Sequence, residues 1–300
     1  MSNRKLVWIL ALLAVALKPA TGLADDDDQA PAEGRYFFDL LDHRSSFGKD
    51  FFIDSFLGPT LDSGTEIELD YLHGEKRGLH DDEVDTEVEW NPIGQLTIAG
   101  EFGWDSEHEQ TPHAGLEGDN IDRGGEAGLE DVDIAVYHPI FQYVSKNGQV
   151  DYTAVVRVDV GIPTRGSPSS QDVLVTPFLG HMLRLGDHIS LEAWTGPQIT
   201  IAPHAANVLI YGACLGYVFP HKQFPVPMID RLTPQIELDG QMPMSSAARE
   251  SLFGVAGFDL GFRRVGEMQP HVALGYEFPI DQGARDQLRW GISLQIVFDF

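Results

Sequence analysis

Carboxylates recur at every second position through long stretches of this chain. Glu66, Glu68 and Asp70 form one such run, and Glu83, Asp85, Glu87 and Glu89 form another. Glu101, Asp131, Asp133, Asp159, Glu192, Glu237, Asp239, Asp259 and Glu277 continue it in later segments. Apolar residues stand between them: Ile67, Leu69 and Tyr71 in the first run, Val84, Val88 and Trp90 in the second. Period two is the strand period, so the acids share one face of each strand and the apolar residues the other. Arg157, Arg263 and Arg289 are read on the acidic face as its counter-charges. Carboxylates arrayed around a water-filled space lower the energy of cations and raise that of anions. The competing expectation is that acids and arginines pair across a narrow interior and fill it. Barrels of eight strands are filled and those of sixteen hold a channel, so an intermediate size leaves both open.

Other chemistry is weakly signalled. The stretch 105–128 holds Glu107, His108, Glu109, His113, Asp119 and Asp122, an oxygen-rich set that could take a divalent cation such as Ca²⁺. It has neither an EF-hand loop nor a His-Glu-x-x-His spacing, so a solvated acidic loop is the simpler expectation. His138 and Ser190 are the residues to inspect for lipid hydrolysis. No Gly-x-Ser-x-Gly elbow surrounds the serine and nothing sets a base beside it, so the expectation is no enzyme and no cofactor. The formal net charge is −26. That balance argues against a nucleic-acid partner and against a polybasic lipid-binding face. Cys214 is the single cysteine, which excludes an intramolecular disulfide; its strand-like surroundings suggest a buried, inert thiol.

The elements that must position these acids are strands. Twelve are expected, near 64–73, 83–90, 95–104, 130–145, 150–161, 173–184, 188–201, 207–219, 231–240, 251–263, 268–279 and 288–300. Most are near ten residues or longer, which suits a tilted membrane crossing better than a soluble sandwich. Tight turns rich in Gly and Asn (91–94, 145–149, 185–187, 265–267) alternate with longer polar loops (74–82, 105–129, 162–172, 241–250, 280–287). That asymmetry belongs to outer-membrane barrels. The expected fold is all-β: a transmembrane antiparallel up-and-down β-barrel over residues 64–300. Trp90, Trp104 and Trp290 fall at strand ends, where interfacial aromatics anchor.

The flanking segments fit this reading. A basic start, the apolar run "LVWILALLAVAL" and a small-residue site at Gly22 and Ala24 make residues 1–24 a secretory signal peptide. Residues 25–63 are expected to be a periplasmic segment or a plug, with 35–61 rich in aromatics. The last strand, "WGISLQIVFDF", places Ile292, Leu294, Ile296, Phe298 and Phe300 on one face. It resembles the C-terminal assembly signal of bacterial outer-membrane barrels. The resemblance implies the barrel-assembly machinery as a partner, and outer-membrane lipid and lipopolysaccharide around the apolar face.

A second resemblance covers more of the chain. "GLEDVDIAVYHPIF" (128–141), "VVRVDVGIPTRG" (155–166) and "VTPFLGHML" (175–183) are similar in order to blocks of the outer-membrane proteins grouped with the meta-pathway of phenol degradation. In that group a Gly-[Ile/Leu]-x-Asp motif opens a strand and a Gly-x-Pro-Thr-Gly motif closes the next; here Arg165 interrupts the Pro-Thr-Gly. The resemblance implies transport and no catalytic residue. The combined expectation is a passive channel for small solutes with an acidic lumen in the cell outer membrane. A non-conducting structural or adhesive envelope barrel is the alternative.

Overall fold

The computed structural model describes residues 33–36, 55–62, 64–76, 79–93, 95–109, 127–164, 172–201, 207–223, 225–244, 249–266 and 268–300. The signal-peptide segment 1–24 and most of the 105–128 stretch lie outside the described residues. Fourteen strands run in chain order: β1 (Glu33–Tyr36), β2 (Glu66–Lys76), β3 (Leu79–Ile93), β4 (Leu96–Glu109), β5 (Ala127–Val144), β6 (Val150–Ile162), β7 (Val173–Leu185), β8 (Ile189–Ile201), β9 (Val208–Tyr217), β10 (Phe219–Pro220), β11 (Ile229–Pro243), β12 (Ser251–Phe262), β13 (Gln269–Pro279) and β14 (Trp290–Asp299). Among the described residues one short helix, α1 (Gln282–Arg285), precedes β14.

Twelve of these strands close into a barrel. Each pairs antiparallel with its sequence neighbour, β9 with β11 across the small β10, and β14 returns to β2 from Trp290↔Glu75 to Asp299↔Glu66. The two short strands decorate it: β1 pairs with the Phe141–Val144 end of β5, and β10 pairs with β11. All twelve expected strands are present. Closure satisfies the backbone groups that an open edge would expose.

Turn chemistry explains the tight end. Gly148, Gly186 and Gly266 take positive φ, which costs glycine little. Ser145 and Asn147 close the first of these turns with side-chain bonds to Val150 N and Gln149 N. Phe300 donates its N–H to Thr65 at this same end (3.0 Å).

Several boundaries differ from expectation; β4 runs on to Glu109 and β11 spans Ile229–Pro243, and two further cases have a clear cause. The loop expected at 74–82 is mostly ladder, because β2 runs to Lys76 and β3 begins at Leu79. Polar side chains do not interrupt backbone pairing, so a fading apolar pattern marks the end of a buried face rather than of a strand. Residues 288–289 belong to the exit of α1, with Leu288 N bonded to Ala284 O, so β14 starts at Trp290.

The barrel is inside-out relative to a soluble protein. Ile67, Leu69, Val84, Val88, Ile236, Leu238, Leu274 and Ile292 are exposed on its outer surface, as are Trp90 and Trp104. Buried inside are Glu66, Glu68, Asp85, Glu87, Glu89, Glu192, Glu237, Asp259 and Glu277. Its apolar interior is built around residues 55–62, which lie within the barrel. Leu61 packs with Ala99, Ala135, Tyr137, Val155 and Met182; Phe56 packs with Val255 and Ala273. Leu57 reaches the cluster of Phe253, Ala284 and Leu288.

Wall glycines make sockets for this segment. A Cβ on Gly180 would stand 2.5 Å from Leu61 Cδ2, and one on Gly257 2.6 Å from Phe56 Cζ.

Candidate functional site

Strand register places the acids in rows. Glu68 stands opposite Glu87, Glu87 opposite Glu101, and Glu101 opposite Asp133, so four neighbouring strands each contribute one carboxylate to a single row. Asp70 faces Asp85 in a second row and Glu66 faces Glu89 in a third. Strands lie about 4.7–4.9 Å apart, so the four-residue row spans about 14 Å. Like charges directly opposite on a sheet are destabilising, so the rows are not explained by stability.

Arg157 is the main counter-charge in this wall. Its Nε lies 2.7 Å from Asp159 Oδ1, its Nη2 3.6 Å from Glu87 Oε1, and its guanidinium 5.1 Å from the centre of the Tyr137 ring. Tyr137 in turn donates its hydroxyl to Glu89.

The inner segment is tied to both sides of the barrel. On one side Glu237 accepts the backbone N–H groups of Phe56 (2.6 Å) and Leu57 (3.0 Å). On the other, Arg157 Nη1 donates to Thr60 O (2.8 Å), and the Tyr137 oxygen, whose proton goes to Glu89, lies 3.1 Å from Asp62 O. Gln295 Nε2 donates to Ser55 O (3.2 Å). These bonds satisfy backbone groups of an irregular segment that lies away from bulk water. Beside it a cavity of about 430 Å³ remains. The first two carboxylate rows line one wall; Phe56, Leu57, Phe178, Trp194 and Ile210 contribute apolar surface.

Most of the expected lumen residues meet here. Glu68, Asp70, Glu83, Asp85, Glu87, Glu101, Asp133, Arg157, Asp159 and Asp239 line the cavity. Glu66, Glu89, Glu192, Glu237 and Glu277 are buried inside, and Asp259 is paired with Arg231 (3.2 Å) and His271 (3.0 Å).

Two expectations are corrected. Arg289 is not a lumen residue: its side chain is 74% exposed and pairs with Glu75 at the rim, because it precedes β14. Arg263 follows β12, is exposed, and bonds His221 (3.0 Å). Among the described residues Arg231 and Arg184 are the further buried arginines. Arg231 shares the alternation of Thr233, Gln235 and Glu237, so the period-two pattern could have found it.

Ile292 and Phe300 are exposed, and Leu294, Ile296 and Phe298 occupy the same outward phase, while Ser293, Gln295 and Val297 are buried inward. Cys214 is buried beside Phe178 and Trp194. Ser190 is fully buried inside, whereas His138 shares the outward phase of Val136, so the two do not meet. Among the described residues no group of three or more His, Cys, Asp or Glu side chains converges to hold a metal ion.

Comparison with known proteins gives no matching family model and no matching curated protein. Among solved structures, the chain is similar to an outer membrane channel from Pseudomonas putida F1, with 13% identity over 83% of this chain and 100% of the other and a TM-score of 0.48. It is also similar to the NanC porin, with 12% identity, 77% and 98% coverage and a TM-score of 0.45. For the KdgM porin the values are 13% identity, 78% and 99% coverage and a TM-score of 0.41.

Proposed function

We propose that this chain is an outer-membrane barrel that admits small cationic solutes through an acidic lumen, and that residues 55–62 constrict its passage. The carboxylate rows facing the interior cavity carry this reading, since they place like charges together at a cost to stability. A filled structural barrel would be better served by paired charges or apolar side chains. Export through residues 1–24 and assembly through the β14 pattern are part of the same proposal.

A membrane setting follows from the outward face. Leu274 is 40% exposed and lies in the middle of β13, paired with Phe258 and Leu294. In lipid vesicles, Leu274→Arg should lower unfolding stability by about 2–4 kcal/mol, the cost of a cation near the bilayer midplane. Urea titration followed by tryptophan fluorescence measures it; an unchanged midpoint contradicts a lipid-facing position.

Ion selectivity tests the lumen. Planar-bilayer recordings across a KCl gradient should give a reversal potential that favours K⁺. The double variant Glu101→Gln/Asp133→Asn should lower the K⁺/Cl⁻ permeability ratio several-fold. Each nearby carboxylate contributes on the order of 1 kcal/mol even in water-like surroundings. Relieving like-charge contacts should leave the fold intact. An unchanged ratio would remove these acids from the pathway.

A further inference from the structure

We infer that the short helix α1 is a latch, which holds residues 55–62 in their constricting position from the opposite mouth of the barrel. The inference rests on the reading that this segment narrows the passage, and it adds what controls the segment. Three features carry it.

The first is where α1 sits. The turns at Gly148, Gly186 and Gly266 and the bond from Phe300 N to Thr65 O mark one end of the barrel. α1 joins the end of β13 to the start of β14, so it lies at the other end. Residues 55–62 precede Thr65 in the chain and so enter from the first end. Leu57 nevertheless packs against the cluster of Phe253, Ala284 and Leu288. One apolar cluster therefore joins the inner segment to the loop at the far mouth.

The second feature is where the apolar part of that loop goes. In "DQGARDQLR" (281–289) the apolar side chains are Ala284 and Leu288. They stand four apart, on one face of a helical turn. Ala284 is 0% and Leu288 3% exposed, whereas Gln282, Arg285, Asp286 and Gln287 are exposed. The loop turns its polar side to the outside and its apolar side onto the cluster that Leu57 joins. Undocking Leu57 would open this cluster to water, so loop and segment stabilise each other.

The third feature is the anchoring of α1 to the wall. Asp281 Oδ1 accepts the N–H groups of Ala284 (2.9 Å) and Leu252 (3.2 Å), which caps the helix and ties it to β12. A Cβ on Gly283 would stand 1.9 Å from Glu250 O, so backbone lies against backbone there. At the exit, Arg289 donates its backbone N–H to Glu75 O (2.8 Å) and its guanidinium to Glu75 Oε1 (2.9 Å). A loop fixed to β12 and β2 in this way can hold a segment that is not itself part of the wall.

Hydrogen exchange of the full chain, refolded in lipid vesicles, tests the inference without any need for ion flow. Glu237 protects the Phe56 and Leu57 amides while the segment is docked, so their exchange reports its undocked fraction. Leu288→Ala should speed that exchange about tenfold or more, because a cavity in the cluster weakens docking. Asp281→Ala, which acts on the anchor rather than on the cluster, should speed it about fivefold through loss of the cap. In a Leu57→Ala background, Leu288→Ala should add less than about twofold, since the contact is already gone. Heat-modifiable gel migration checks that each variant is folded. Unchanged exchange in either folded single variant, or an undiminished effect of Leu288→Ala in the Leu57→Ala background, overturns the latch. The permeation reading fails differently: no ion current crosses bilayers containing the protein, while the exchange changes persist.

Discussion

The Arg157→Ala barrel should unfold with a free energy about 3–5 kcal/mol below that of the unaltered chain, the usual result of breaking a buried ion pair from one side. Arg157 is buried among Asp159, Glu87 and Tyr137, and it also holds Thr60 O. Truncation leaves two carboxylates without their cation, in a wall already carrying Glu101 and Asp133 nearby. It also frees a backbone carbonyl of the inner segment. Arg157→Lys should recover part of the loss, because an ammonium keeps the charge but cannot fork between Asp159 and Thr60. Urea unfolding in lipid vesicles, read by tryptophan fluorescence, measures both. A loss under about 1 kcal/mol would mean that the charge is solvated and the wall is wet at this point.

Glu237→Ala should act on conduction rather than on the barrel. Glu237 is fully buried and accepts the amide N–H groups of Phe56 and Leu57. Hydrogen bonds to a charged group contribute about 1.5–3 kcal/mol each. Losing even one of them shifts the docked-to-undocked equilibrium of the segment by about tenfold or more. Single-channel recordings should therefore show a larger open fraction, with cation preference retained because the carboxylate row remains. The socket at Gly180 offers an independent route to the same end. A side chain there meets Leu61. Unchanged conductance after Glu237→Ala would mean that the segment stays in place by apolar packing alone.

The strands were the most legible part of this molecule. Alternation in "GTEIELDYLH" and "EVDTEVEW" assigns both the strand and its inward face, and the structure keeps Glu68 and Glu87 inward and Leu69 and Val88 outward. Turn glycines marked the tight end for the same local reason. Strand ends were less legible, as at Lys76 and Leu79, where pairing outlasts the apolar pattern.

The site was legible only by its wall. Which acids become neighbours depends on register, and period two leaves register open in steps of two residues. The row from Glu68 to Asp133 is therefore a property of pairing that composition does not disclose. Arg289 was misplaced because its position at the edge of β14 breaks the alternation that located the others. The inner segment was hardest to read. "SFLGPTLD" has no period, and its contacts are made far along the chain, as between Ser55 and Gln295 at a separation of 240 residues. Its partners, Glu237, Gly180 and Gly257, read in the sequence as ordinary strand residues.

Passage of ions through an acidic lumen narrowed by residues 55–62 is decided by planar-bilayer recordings of the unaltered chain and of Glu237→Ala, side by side under one KCl gradient. A small cation-selective conductance is expected in the first and a larger one, still cation-selective, in the second. No current in either protein, or a reversal potential favouring Cl⁻, would contradict it.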